Sequence, residues 1–246
     1  MFSLKERFEF LKDGVDFPFY NGKPERSLAE ILIMPVAVIL MVSLMFIPVM
    51  TAQYFPILFF LISAVAVFLL CKGDYGLFFK MPKLRDLLTI ILCFLGYYIY
   101  VMAMTVILSR LGYAMSANVV LTSYKAPSMF LVVSDILQLF GEEFLKIFIL
   151  LFVMYVVYRL TRKRGPALYV GIIATLFIFG IIHSGAYSGK IVQILLIQGL
   201  GSIFALYPYL KTKNMINSYI LHLLVDFVPF TMVFIATTMG ITIPGV

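Results

Sequence analysis

The chain has 246 residues, of which 63% are hydrophobic and 13% charged, and its net charge is +7. A soluble globular chain averages about 45–50% apolar and about 25% charged residues, so too little polar surface is present to clothe a water-soluble body, and lipid is expected as the solvent over most of its height. Two cysteines, Cys71 and Cys93, both in apolar runs, exclude a disulfide framework and a cysteine-based metal motif.

In chain order, residues 1–30 alternate charges with aromatics, among them Lys5, Phe8, Phe10, Lys12, Phe17, Phe19 and Tyr20. A cleaved signal needs an apolar core and a small-residue cleavage site, so this stretch reads as an amphipathic segment lying in the membrane interface. Apolar runs follow at about 31–50, 55–71, 87–108, 129–158, 167–186, 191–210 and 215–238. A spanning helix takes roughly 20 such residues. The second run is short, and the fourth is long enough for tilt or for a folded lead-in. Residues 1–246 therefore read as one integral membrane domain, an all-α polytopic bundle of about seven spans. No internal repeat stands out.

Cations sit in the short connections between these runs, as topology signals and headgroup contacts do, so nucleic acid is not an expected partner and membrane lipid is. With a cytoplasmic N-terminus, 15 lysines and arginines fall on the inside and 3 (Arg110, Lys125 and Lys190) on the outside, with Lys146 inside a span. This split predicts a multi-pass protein of the cell membrane with its C-terminus extracytoplasmic.

Charges within a bilayer cost about 2.5–3.5 kcal/mol each, so they default to functional candidates. The fourth run carries Asp135, Glu142, Glu143 and Lys146, the fifth ends near His183, and the seventh holds His222 and Asp226; the two histidines are the only ones in the chain. Asp135, Gln138, Glu142 and Lys146 recur at three and four residues and form one stripe. His222 and Asp226 are four apart, so Asp226 is expected to orient His222. One such pair could be packing glue between helices. Two carboxylates and two imidazoles spread over three spans are harder to explain that way, and their chemistry is complementary.

Three motifs fit a known pattern: Gly141-Glu142-Glu143-Phe144-Leu145-Lys146, Phe179-Gly180-Ile181-Ile182-His183, and His222-Leu223-Leu224-Val225-Asp226. In order and spacing they resemble the CPBP family, the CAAX proteases and bacteriocin-processing or bacteriocin-immunity enzymes also called Abi proteins. The resemblance covers about residues 125–230. The family's arginine would fall at Ile147; Lys146, one residue earlier, is the nearest cation and can pair with Glu142 or Glu143.

The resemblance implies an intramembrane endopeptidase acting on a membrane-associated peptide or protein. Glu142 would be the general base, His183 would help hold the water, His222 oriented by Asp226 would stabilise the oxyanion, and Glu143 and Lys146 would support. A divalent metal such as zinc at Glu142, His183 and His222 is the rival version; without a His-Glu-x-x-His motif, the cofactor-free version is favoured. Outside catalysis, two readings remain: a CPBP-like scaffold regulating a partner membrane protein such as a sensor kinase, and a small transporter using Glu142 and Asp226 in proton coupling, for which no repeated halves stand out. Glu142, His183 and His222 are expected to converge on a water-filled, laterally open cavity ending at Glu142. Counted along straight spans, His183 and His222 fall at different depths, and a helix continuing through Ser184–Lys190, with tilt, is expected to reconcile them.

Overall fold

The computed structural model describes residue 10 and residues 15–47 and 54–241, and among these it is helical without a β-strand. Seven helices follow the seven apolar runs: α1 (Leu28–Leu44), α2 (Phe55–Cys71), α3 (Leu84–Arg110), α4 (Met129–Thr161), α5 (Arg164–Ile182), α6 (Ile191–Thr212) and α7 (Met215–Thr238). Helices α3 to α7 are long and apolar enough to cross a membrane, and α1 and α2 are shorter apolar helices. The protein is an integral membrane helix bundle.

Helix α4 is its axis. Its 33 residues extend about 50 Å at 1.5 Å per residue, and it packs against α1, α2, α5 and α7. From Gly141 to Leu151 every residue is buried, Glu142, Glu143 and Lys146 included, because other helices surround this part of α4. The Ser128 hydroxyl caps its start by accepting from the Leu131 N–H, and the Asn214 side chain does the same for α7 at Ile216.

The two ends of the bundle differ. At one end, the irregular stretch 15–27 runs beneath the helices and ties their basic connections together. Asp16 accepts from Arg164, Arg26 donates to the Leu70 and Cys71 carbonyls, and Lys213 donates to the Phe10 carbonyl. Asn214 exchanges side-chain hydrogen bonds with the Lys80 backbone. At the other end, Gln193 bonds the Ser116 backbone and the Val119 N–H meets the Ala186 carbonyl, gathering the connections that hold Arg110, Lys125 and Lys190. In the described part of the expected interfacial segment, Phe17, Phe19 and Tyr20 are buried in the main core rather than laid on lipid.

This strap explains a depth mismatch. Glu142 lies 19 residues from the end of α4 and His183 lies 19 from the start of α5, about 28 Å in each case, whereas His222 is only 7 residues, about 10 Å, into α7. The side chains still meet because the α6–α7 turn is recessed. Lys213, Asn214 and Met215 are buried, and the Met215 N–H bonds the Phe78 carbonyl. The α4–α5 turn at Arg162 and Lys163 is exposed. The strap fills the step of roughly 18 Å left between the two turns: Phe17 packs on Tyr209, Phe19 on Phe78, and Tyr20 on Tyr158. The expected continuation of the fifth helix is not observed. Helix α5 stops at Ile182, His183 caps it, and residues 184–189 form turns.

Candidate active site

Two glycines set the helix spacing that the site needs. A Cβ on Gly141 would lie 3.1 Å from the Phe59 carbonyl oxygen, so α2 and α4 touch one residue before Glu142. A Cβ on Gly180 would lie 3.0 Å from the Gly199 Cα and 3.1 Å from the Ile194 carbonyl oxygen, so α5 and α6 meet backbone to backbone one turn before His183. The facing part of α6, Ile194–Leu200, is wound as a π-helix. Such widened turns leave carbonyls without their usual donors, and the Tyr100 hydroxyl donates to one of them, the Leu196 carbonyl, at 2.6 Å. Pro229 in α7 lacks an N–H, which frees the Val225 carbonyl four residues back; the Tyr98 hydroxyl donates to it at 2.9 Å.

The ionisable residues singled out from the sequence meet between these helices. Glu142 Oε2 lies 3.9 Å from His183 Nε2 and 3.8 Å from His222 Nε2. Gln138 Nε2 donates to Glu142 Oε1 at 2.8 Å, which leaves Oε2 directed at the two rings. His183 Nδ1 is 2.7 Å from the Phe179 carbonyl oxygen. A carbonyl only accepts, so Nδ1 carries the proton, and in the neutral ring Nε2 presents a lone pair toward Glu142.

His222 is oriented differently from expectation. Its Nδ1 lies 2.8 Å from Glu143 Oε1, while Asp226 Oδ2 lies 3.9 Å from Nε2. The carboxylate on the far nitrogen is therefore Glu143, arriving from α4, and Asp226 stands on the same side of the ring as Glu142. The i,i+4 spacing brought Asp226 near the ring but could not say which nitrogen it would meet. Glu143 is fully buried and also accepts from Lys146 Nζ at 2.5 Å. Lys146 thus pairs with Glu143 and not with Glu142. Its ammonium lies 4.7 Å from the centre of the Phe179 ring, a cation–π seat that offsets part of the cost of burial. Phe179 also packs against His183 at 4.5 Å and against His222 at 6.2 Å, so one ring braces the cation and both imidazoles.

Asp135 belongs to the same helical stripe but not to this cluster. It accepts from the Tyr124 hydroxyl at 2.5 Å, and Tyr124 stacks on Phe230 of α7, which ties the α3–α4 connection to the bundle.

A cavity of about 310 Å³ adjoins the cluster, lined by Lys146, Phe179, His183, His222 and Asp226 together with tyrosines and glutamines from α3 and α6. Glu142 is not among its lining residues, so the cavity stops at the imidazoles, one side chain short of that carboxylate. Sequence reasoning missed Tyr97, Tyr187, Gln193 and Gln198, which give the cavity its polar wall. For Tyr97, Gln193 and Gln198, polar uncharged residues inside apolar runs were the signal available. No group of three His, Cys, Asp or Glu side chains among the described residues is arranged to hold a metal ion.

Residues 125–228 match the family model described as Rce1-like, Type II CAAX prenyl endopeptidase Rce1-like. Over these residues the chain is similar to that family. The matched region holds all three motifs and each of the charged and imidazole groups of the cluster. The chain is accordingly a CAAX-protease-like membrane protein. No curated protein and no solved structure matches it. At the place of the family's arginine this chain has Ile147, fully buried, while Lys146, one residue earlier, supplies the cation.

Proposed function

We propose that this protein is an intramembrane endopeptidase that hydrolyses a peptide bond near the end of a CAAX-like, membrane-associated chain, using water activated by Glu142. The observation that carries this reading is the 3.8–3.9 Å separation of Glu142 Oε2 from two Nε2 atoms. A water about 2.8 Å from each partner fits such a gap with an angle near 90° at its oxygen. It would donate one hydrogen to Glu142 and the other to His183 Nε2, which its backbone partner leaves free to accept. Attack on the scissile carbonyl transfers the water's proton to Glu142. As the C–N bond breaks, Glu142 returns that proton to the amine leaving group.

His222 would serve the oxyanion. His222 Nδ1–H would donate to the Glu143 carboxylate, and when Nε2 also carries a proton that N–H becomes a donor whose charge Glu143 and Asp226 balance. Lys146 neutralises Glu143, so the buried carboxylate stays ionised without drawing a further proton from the site. No step is routed through a metal. The end of the bundle that carries the strap and most of the basic connections is assigned to the cytoplasm, where CAAX-like chains end.

The test uses purified protein in neutral detergent and a quenched fluorescent peptide ending in a CAAX sequence, with and without a farnesyl group. Glu142→Gln is expected to lower turnover by about 10²–10⁴, the usual contribution of a positioned base, with the melting temperature unchanged. Turnover within tenfold of wild type would refute the assignment. Loss of activity with a chelator and its return with zinc would replace the metal-free mechanism.

A further inference from the structure

A second cavity lies away from the catalytic cluster, at the basic end of the bundle. It measures about 400 Å³ and is bounded by the start of α3 and the α6–α7 turn. Its lining includes Lys80, Lys83, Arg85, Lys211 and Lys213, and among the described residues Asp86 is the only acid on its wall. Asp86 is already engaged, since its Oδ2 accepts from the Lys83 N–H. Burial and neighbouring cations act against these charges. Burial lowers Lys80 below the ordinary lysine range, with Lys83 adding to the effect, and burial pushes Lys213 down to about 8. Such a cluster is improved by an anion.

The polar cavity continues into an apolar groove. The groove, about 330 Å³, shares Thr89, Leu92 and Lys211 with it and runs on past Cys93, Ile203 and Phe204 between α3 and α6. Cys93 is nine residues from the start of α3 and Ile203 nine from the end of α6, so on both helices the groove reaches about 14 Å from the helix ends that border the polar cavity. That length matches half of a hydrocarbon core about 30 Å thick, the reach of one acyl chain. Phe204, one of its lining residues, packs its ring against Gly96, 2.7 Å from where a Cβ there would stand. Its mouth is open to lipid where Leu92, shared with the polar cavity, is 60% exposed.

We propose that this head-and-tail site binds one anionic glycerophospholipid of the basic-side leaflet, its phosphate among Lys80, Lys83 and Lys211 and one acyl chain in the α3–α6 groove. A zwitterionic lipid would bring a choline cation into an already cationic cavity. A soluble phosphate would leave the groove unfilled.

The test is a native mass spectrometry titration of the whole protein in neutral detergent. The probes are dioleoyl-phosphatidylglycerol, dioleoyl-phosphatidylcholine and glycerol 3-phosphate. Phosphatidylglycerol is expected to bind at least tenfold more tightly than phosphatidylcholine. Lys83→Gln and Lys211→Gln should each weaken it about fivefold, the ratio equivalent to about 1 kcal/mol per cation near an anionic surface. Lys83 is exposed, so its variant folds even if loss of the Lys211–Thr89 hydrogen bond disturbs the other. Equal affinity for the two lipids, or a preference unchanged in Lys83→Gln, overturns the proposal. Displacement of the lipid by equimolar glycerol 3-phosphate also overturns it, in favour of a soluble-anion site. None of these readouts depends on peptidase activity.

Discussion

Lys146→Met offers the sharpest test of how the buried cluster is held. Lys146 and Glu143 are both fully buried and 2.5 Å apart, and the lysine also rests on the Phe179 ring. Methionine keeps the length and packing of the side chain but removes the charge, leaving the Glu143 carboxylate facing only the His222 ring, with one of its oxygens unpartnered. Removing one member of a buried ion pair costs about 3–5 kcal/mol, whereas replacing both by apolar or neutral groups of similar size is often close to neutral. Lys146→Met is therefore expected to lose about 3–5 kcal/mol. Lys146→Met combined with Glu143→Gln should recover at least 2 kcal/mol of that loss. Reversible unfolding in mixed detergent micelles, monitored for wild type, both single variants and the double variant, yields the coupling directly. A coupling below about 0.5 kcal/mol would refute the reasoning, because the pair would then contribute nothing beyond its separate parts.

Gly180→Ala places a methyl group against the Gly199 backbone and should cost about 1–3 kcal/mol, as overpacking does; activity should fall further than stability because His183 moves with α5, and a melting curve alongside peptide turnover separates the two. Asp16 responds to acid. Burial alone would raise its carboxyl, but hydrogen bonds from Arg164, Tyr20 and the Phe17 N–H outweigh burial and hold it below the usual carboxylate range. Its contribution is therefore present above about pH 4 and lost as pH falls through the lowered value. Asp16→Asn should remove that part of the acid dependence of the melting temperature and cost about 1.5–3 kcal/mol near neutrality, toward the lower figure because the pair is partly exposed. A topology reporter fused after Thr238 should score as extracytoplasmic, and a cytoplasmic signal would reverse the orientation assigned to the strap-bearing end.

Much of the architecture could be read directly from the chain, because a bilayer leaves few choices. Every spanning segment must satisfy its own backbone polar groups, so each long apolar run had to become a helix, and α2, α4 and α7 begin at the residues where their apolar runs begin. The costly charges could be read for the same reason: Glu142, Glu143, Lys146, His222 and Asp226 stand out against a hydrophobic background, and their spacing assigns helix faces. Spacing along one helix says nothing about the side chain that arrives from another. Only the packed structure decided that Glu143 rather than Asp226 meets His222 Nδ1, and that Lys146 neutralises Glu143 over the Phe179 ring. Depth was likewise out of reach of the sequence. A count of residues at 1.5 Å each fixes distance along an axis but not where the axis starts, and here the α6–α7 turn starts far inside the bundle because an aromatic strap, without helical periodicity of its own, fills the step beneath it.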